Sequence, residues 1–428
     1  MRIAIEGGRV IDPAHQTDAV IDLFIADGRI AGSGGQPPAG FAPDRRIDAR
    51  GQIVCPGLID LCARPREPGQ EHKATIASEA RAAASGGITT LVCPPDTDPV
   101  IDEPAVVELI RRRARAAGQV RVLTLGALTH RLHGERLAEM AALKEAGCVG
   151  VGDGGRTVAS SRVLRRALEY AATFDLTVFL TPLDPELGHG LAHEGQVATR
   201  FGLPGIPVAA ETGVIARDLE LIRDLGVRVH FGRLSSARAV ELVARAQAEG
   251  LSVTADTAVH HLYLSEIDLS GFDSCCHVRP PLRGPRDLDA LRAGLAEGVL
   301  GALCSDHQPH EPDAKQAPFG DTEPGISGLD TLLALSLRLA RDDVLPLPTL
   351  LARLTWGPAR ILGLDSGHLG IGAPADLCVF DPDAEWRVEA DTLRSRGHNS
   401  PFLGWELHGQ VTHTLLEGQV VHAREARR

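Results

Sequence analysis

Several side chains that could bind a metal or an anion follow apolar, strand-like runs in the middle of the chain. Cys62, Arg64 and Arg66 come shortly after the run IVCPGLID (53–60). Polar side chains that end or follow later runs are Asp96, Asp153, Thr181, Arg233, His260, His261, Asp306, His307 and His310. Histidine, cysteine and carboxylate side chains are the usual protein ligands of zinc, whereas an arginine fork binds carboxylates. The residue types therefore point to metal or anion chemistry at these strand ends.

The elements that position these residues alternate regularly along the chain. Eight apolar runs predict β-strands at 53–60, 88–93, 120–126, 148–152, 176–181, 227–232, 252–257 and 300–306. The Ala-, Leu- and Arg-rich stretches between them have helical periodicity, and six end at or just before glycine, a common helix stop. This order predicts an α/β fold, a (β/α)8 TIM-type barrel with its active site at the carboxyl ends of the strands. An open doubly wound sheet is the alternative, but no GxGxxG motif follows any strand.

The two ends of the chain have a different pattern from the middle. Residues 1–52 and 366–428 contain short apolar runs with a period near two, broken by glycines, which is typical of antiparallel strands. We expect both ends to join in one small composite β domain. Residues 53–365 are then left to form the barrel.

Composition excludes several classes of protein. The 428 residues carry 44 Lys and Arg against 56 Asp and Glu, a net charge of −12, which argues against nucleic-acid binding. No apolar run reaches the roughly 18 residues of a membrane span, and the first residues do not resemble a secretion signal. None of the eight cysteines forms a CxxC pair, and most lie in apolar runs. We therefore expect a cytoplasmic protein with reduced thiols in its core.

Five segments resemble motifs of the dihydroorotases in the amidohydrolase superfamily, nearly from end to end. They are PGLIDLCARPREPG (56–69), GGITTLVCPPDTDP (86–99), VRPPLR (278–283), SDHQPHEPDAK (305–315) and GAPADLCVFD (372–381). The resemblance implies a metal-dependent barrel with a composite β-sandwich built from both chain ends. In that family a zinc centre activates a water for the hydrolysis or closure of the cyclic amide of dihydroorotate.

The positions that carry the metal in the family have changed in this sequence. The two imidazoles after the first strand are matched by Cys62 and Arg64, and those after the fifth and sixth strands by Thr181 and Arg233. The matches to the two carboxylate positions are Asp153, in a loosely similar segment, and Asp306. Arginine cannot ligate a metal, and two cations about 4 Å apart repel by roughly 4 kcal/mol at an effective dielectric of about 20. We therefore expect no zinc, and we expect both arginines to pair with Asp306 or Asp153.

The positions that contact substrate in the family are partly kept. Arg66 matches the arginine that holds the substrate carboxylate, and His310 matches a histidine of the same pocket. Asp96 replaces an asparagine that contacts this carboxylate, and Arg279 replaces the asparagine before PPLR. A carboxylate facing a carboxylate is repulsive, so the substrate site is also expected to be altered.

Other candidate groups have simpler interpretations. Cys62 could be a nucleophile or a zinc ligand, but no general base is evident beside it. The favoured interpretation is that Cys62 is simply a small residue at a strand end. His189 and His193 in HGLAH have helical spacing for a metal pair, but lack a third ligand. His260 and His261 are adjacent at a strand end, where consecutive side chains point in opposite directions.

Two functions remain open. The first is a non-catalytic dihydroorotase homologue that, as the resemblance implies, supports assembly of aspartate carbamoyltransferase in pyrimidine biosynthesis. That chain would be its partner, the protein would form a homo- or hetero-oligomer, and no cofactor would be needed. The second is a working zinc-dependent cyclic amidohydrolase with an unusual ligand set. In the first case Asp306 is a remnant of the catalytic site, held in an internal ion pair.

Overall fold

The barrel in the computed structural model, which describes residues 1–424, consists of eight parallel strands hydrogen-bonded in sequence order. From first to eighth these strands are Leu58–Asp60, Ile88–Cys93, Arg121–Ala127, Gly150–Gly152, Val178–Leu180, Val229–Phe231, Val253–Ala258 and Ala302–Cys304. A parallel bridge between Ala63 and His307 spans the seam between the eighth and first strands. The predicted (β/α)8 barrel is confirmed.

The extent predicted for the first strand is wrong. The run 53–60 forms two strands in different sheets, Ile53–Pro56 in the β domain and Leu58–Asp60 in the barrel. Gly57 separates them, and a Cβ atom there would overlap the side chain of Thr89. Apolar periodicity identifies both segments as extended, but it does not say which sheet each one joins.

Eleven α-helices within residues 1–424 connect and surround the strands. They are α1 Ile76–Ser85, α2 Pro104–Ala117, α3 Met140–Ala146, α4 Ser161–Thr173, α5 Gln196–Phe201, α6 Ala209–Leu225, α7 Ala237–Ala248, α8 Pro285–Glu297, α9 Leu332–Arg341, α10 Leu347–Leu354 and α11 Trp356–Leu362. Helix α1 begins after Thr75, whose Oγ1 accepts a hydrogen bond from the Ser78 amide at 3.1 Å. Such caps satisfy amides that have no partner within the helix.

The β domain contains strands from both ends of the chain. Its four-stranded sheet has the order Arg29–Gly34, Asp22–Ala26, Arg2–Glu6 and Arg45–Asp48. Its six-stranded sheet has the order Gln419–Ala423, Glu406–Leu416, Leu377–Arg387, Ile53–Pro56, Arg9–Asp12 and Thr17–Val20. The domain contacts the barrel directly, since Thr414 Oγ1 donates to the carbonyl of Ala84 at 2.6 Å.

The structure shows the state of the cysteines and the length and polarity of the helices. All eight cysteines are free thiols; seven are buried and Cys275 is half-buried. Within residues 1–424 no helix combines the length and the apolar character that crossing a bilayer requires.

Candidate functional site

The altered metal positions lie at the carboxyl ends of the barrel strands. Cys62 and Arg64 follow the first strand, and Asp153, Thr181, Arg233 and Asp306 follow the fourth, fifth, sixth and eighth strands. Cys62, Asp153, Thr181 and Arg233 line one small pocket, together with Asp256 and Phe179. The structure therefore brings these positions together at one mouth of the barrel, as their places after the strands predict.

One buried carboxylate, that of Asp306, binds both arginines. Its Oδ1 accepts hydrogen bonds from Arg233 Nη1 at 2.8 Å and from Arg64 Nη1 at 3.2 Å. Its Oδ2 accepts a third, from Gln308 Nε2 at 3.2 Å. Burial by itself raises the pKa of Asp306, but Arg233 and Arg64 outweigh it and hold that pKa at about 2. The predicted pairing of both arginines with Asp306 is confirmed.

Hydrogen bonds of the two arginines extend the cluster beyond Asp306 in both directions. Arg64 Nε donates to Asp96 Oδ2 at 2.7 Å, and Arg233 Nη2 donates to Thr181 Oγ1 at 2.6 Å. The resulting chain, Asp96–Arg64–Asp306–Arg233–Thr181, joins the ends of the second, first, eighth, sixth and fifth strands. Asp96 was expected to act on a substrate carboxylate, yet in the structure its negative charge is balanced by Arg64.

Asp153 does not pair with either arginine within 4 Å, contrary to the alternative that the sequence left open. Its carboxylate accepts hydrogen bonds from the backbone amides of Gly155 at 2.9 Å and Thr181 at 3.0 Å. Burial raises its pKa to about 6, although these amides and nearby Arg233 act in the opposite direction. Backbone donors therefore offset the burial of Asp153 only in part, whereas the arginines outweigh the burial of Asp306.

Cys62 is a buried thiol within this cluster. Its Sγ lies 3.5 Å from Asp306 Oδ1 and 3.6 Å from Arg64 Nη1. Burial raises the pKa of Cys62 to about 12, despite both neighbouring arginines. A thiol with this pKa is not a thiolate nucleophile at neutral pH.

Two residues that set the position of Arg233 were not identified from the sequence. Asp256 Oδ1 accepts a hydrogen bond from the Arg233 amide at 2.6 Å, and its Oδ2 lies 2.9 Å from His230 Nε2. The backbone of Arg233 has a left-handed φ of 61°, which its interactions must hold in place. His230 and Asp256 lie inside the sixth and seventh strands, which are otherwise largely apolar. A charged or polar residue within such a run is the sequence feature that could have identified them.

The remaining histidines do not complete a metal site. His260 and His261 lie in a 3-10 turn with ring centroids 4.5 Å apart, so they do not point in opposite directions as predicted. His261 Nε2 lies 3.2 Å from the Pro280 carbonyl, and burial lowers the pKa of His260 to about 4. HGLAH is not helical, because His189 ends a 3-10 turn and His193 lies in the short strand Ala192–His193.

Zinc does not fit the groups at the barrel mouth. Within residues 1–424 no three His, Cys, Asp or Glu side chains are placed to share a metal ion. Arg64 and Arg233 both donate to Oδ1 of Asp306, the carboxylate that matches a metal position of the family. Guanidinium groups cannot donate a lone pair, and their charge repels a divalent cation.

The residues that match substrate-contacting positions of the family lie in two separate places. Arg66 Nη2 lies 3.0 Å from His310 Nε2, and Arg66 Nε donates to the Pro309 carbonyl at 3.0 Å. Burial, Arg66 and Lys73 lower the pKa of His310 to about 2, so its imidazole is neutral. Arg279 lies apart, exposed, and donates to the carbonyl of Gly190 at 3.2 Å.

Comparisons with known proteins agree with this architecture. Residues 51–239 match the family described as dihydro-orotase-like, and residues 286–422 match the amidohydrolase family. A dihydroorotase-like protein of Pseudomonas aeruginosa is 52% identical, covering 99% of this chain and all of that protein. A protein of Geobacter sp. strain M21 named dihydroorotase is 44% identical, covering 99% of both chains. The L-hydantoinase structure from Arthrobacter aurescens superposes with a TM-score of 0.87 at 24% identity, covering 98% of this chain and 96% of that one.

Proposed function

Since the chain belongs to the dihydroorotase-like family of the amidohydrolases, we propose that it is a non-catalytic member that supports assembly of aspartate carbamoyltransferase. The observation that carries this proposal is the sharing of Asp306 by Arg64 and Arg233. Ion pairs hold the barrel mouth where the family resemblance implies a metal. The protein then contributes to pyrimidine biosynthesis in the cytoplasm through its surface.

The chemistry of the pocket supports the loss of hydrolysis. Attack on a cyclic amide needs an activated water and a group that stabilises the developing oxyanion. The arginines that could supply positive charge are bound to Asp306, Asp96 and Thr181. His310 is neutral and faces Arg66 and Lys73, and the Cys62 thiol is protonated.

The integrity of the scaffold supports a retained role. The barrel and both sheets of the β domain are complete in residues 1–424. Most substitutions destabilise a protein, and the margin of stability is only about 5–15 kcal/mol, so a protein without a role would lose packing as well as chemistry. Here the changes are concentrated at the strand ends, and the ion pairs there compensate one another.

A working cyclic amidohydrolase is the second candidate. It is favoured by relatives named dihydroorotase at 42–44% identity, and by retained Arg66, His310 and Asp306. Metal analysis and assay of the purified chain separate the two candidates. We expect substoichiometric zinc and no turnover of dihydroorotate above background; one to two equivalents of zinc with turnover would establish the enzyme instead.

The assembly role has its own test. The chain and the carbamoyltransferase of the same organism are mixed at micromolar concentration and separated by size-exclusion chromatography with light scattering. We expect a stable complex, with an interface of at least about 1,200 Å². Separate elution, with the carbamoyltransferase active and stable alone, would contradict the assembly role.

A further inference from the structure

Three long connections at the carboxyl end of the barrel pack against one another. They are residues 182–208, 259–284 and 311–325, which follow the fifth, seventh and eighth strands, and together we name them the cap. Ser274 Oγ donates to the carbonyl of Lys315 at 2.7 Å, which joins the second and third connections. Arg279 Nη2 donates to the carbonyl of Gly190 at 3.2 Å, which joins the first and second. The cap is therefore one continuous structure.

A row of aromatic rings runs through the cap. Ring centroids are 5.1 Å apart for Phe201 and Phe272, 6.5 Å for Phe272 and Phe319, and 5.0 Å for Phe319 and His277. The cap thus holds three of the ten phenylalanines of a chain with only 4% aromatic residues. Phe272 has a left-handed φ of 58°, an unfavourable backbone for a bulky side chain, and its side chain is 47% exposed. The fold therefore holds an aromatic ring at the surface.

Further large apolar side chains of the cap are exposed. Ile267 is 57% exposed and Leu187 is 47% exposed. Within residues 1–424 eight large apolar residues are exposed, and Phe272 is the third of them in the cap. Exposed apolar side chains that gather on one structure mark an interaction surface, whereas scattered ones are ordinary.

The cap also carries half of the net negative charge of the chain. Its three connections contain ten Asp and Glu but only four Lys and Arg, a net charge of −6 in a chain with a net charge of −12. The exposed acidic residues are Glu186, Glu194, Asp268, Asp273, Asp313, Asp321 and Glu323; the exposed arginines are Arg200 and Arg279. Complementary charge steers association and selects the partner.

We propose that the cap is the docking surface for a partner protein whose contact face is basic around an apolar centre. This inference rests on the proposed function, in which the partner is the aspartate carbamoyltransferase chain. Charge argues against a second copy of this chain as the occupant, because two caps in contact would each bring a charge of −6. The apolar residues would supply most of the affinity. The carboxylates would orient the partner and raise the rate of association.

The apolar contribution is tested by measuring the affinity of the full-length chain for the carbamoyltransferase by calorimetry. The cap variant combines Ile267→Ser with Phe272→Ser. The matched control combines Val20→Ser with Ile371→Ser, which removes two β-domain side chains that are 71% and 77% exposed. We expect the cap variant to weaken binding by at least about tenfold and the control by less than about twofold. Circular dichroism of both variants checks that they are folded.

The contribution of the acidic residues to binding is tested with a second pair of variants, which change the net charge of the chain equally. Asp313→Lys with Asp321→Lys alters the cap, and Asp27→Lys with Asp365→Lys alters exposed positions outside it. We expect only the cap pair to weaken binding by about tenfold and to reduce its salt dependence.

The outcomes separate the cap proposal from the proposed function. If the wild-type chain binds the carbamoyltransferase and folded cap variants bind equally well, the cap is not the docking surface but the assembly role stands. If the wild-type chain does not bind it, both proposals fail. If the cap variants instead reduce self-association by light scattering, a second copy occupies the cap and the proposal is overturned.

Discussion

Asp306 and Arg233 form an ion pair at 2.8 Å with only 2% and 6% of their side chains exposed. The same carboxylate oxygen binds Arg64 at 3.2 Å, so one negative charge lies between two guanidinium groups. Asp96 supplies a second negative charge to Arg64 at 2.7 Å. These contacts connect strand ends across the barrel mouth and should therefore stabilise it.

Asp306→Ala is expected to lower the free energy of unfolding by about 3–5 kcal/mol. Removing one partner of a buried ion pair leaves a charge without compensation, and here two arginines lose a shared partner. Denaturant unfolding of the wild type and the variant measures the difference.

The matched control for Asp306→Ala is an exposed ion pair. Asp383 pairs with Arg341 at 3.0 Å, and its side chain is 88% exposed. Asp383→Ala is expected to cost less than about 1 kcal/mol, since solvent screens such pairs. Equal stability of the two variants would show that the Asp306 cluster does not hold the barrel mouth.

A chelator is expected to leave the thermal stability of the protein unchanged. A bound metal stabilises the folded state by mass action, so its removal lowers the melting temperature of a protein that depends on it. The two guanidiniums on Asp306 supply the positive charge here without a metal. Melting curves with and without excess EDTA provide the measurement, and a marked decrease with EDTA would indicate a bound metal.

The fold could be predicted from the sequence because strand and helix periodicity is local. The sequence predicts all eight barrel strands, and the residues after them therefore lie together at one mouth of the barrel. The split of residues 53–60 was missed because Ile53–Pro56 and Leu58–Asp60 lie in one nearly continuous apolar run, and only the partner strands distinguish them.

The site was harder to predict because it depends on the reach and direction of side chains. Arg64 contacts both Asp96 and Asp306, which follow different strands, and strand order alone does not reveal this choice. His230 and Asp256 were missed because they lie inside strands rather than after them. The pairing of both arginines with Asp306 was predictable because buried charges require partners.

Restoring histidine at all four altered positions is expected to restore metal binding without useful hydrolysis. The variant combines Cys62→His, Arg64→His, Thr181→His and Arg233→His. Loss of Arg64 leaves Asp96 without its ion-pair partner and near Arg66, the arginine that the resemblance assigns to the substrate carboxylate. Asp96 then competes with the substrate for Arg66.

Adding Asp96→Asn to this variant is the informative comparison. We expect turnover of dihydroorotate to rise by at least about tenfold over the four-site variant, because the asparagine removes the competing charge. Metal content is measured for both variants, so that a change in turnover is not confused with a change in metal binding. High turnover in the four-site variant alone would contradict the role given to Asp96.

The pH dependence of stability is expected to separate the two buried carboxylates Asp306 and Asp153. The pKa of Asp306 is lowered from 3.8 to about 2, so its stabilising effect is present above about pH 4 and is lost as the pH falls towards 2. The pKa of Asp153 is raised from 3.8 to about 6 by burial, so the folded state binds a proton more tightly than the unfolded state. Its contribution to stability therefore decreases as the pH rises from about 4 to 6.

Asp153→Asn removes this titration while keeping the shape of the side chain. Other buried carboxyl groups with a raised pKa, such as Asp60, titrate in both proteins and cancel in the comparison. The stability of the variant relative to the wild type should rise between pH 4 and 7, by up to about 3 kcal/mol for two pKa units. Asp365→Asn, at a fully exposed position, serves as the control without this trend. Denaturant unfolding at several pH values measures both differences, and a constant difference for Asp153→Asn would mean that Asp153 is ionised throughout.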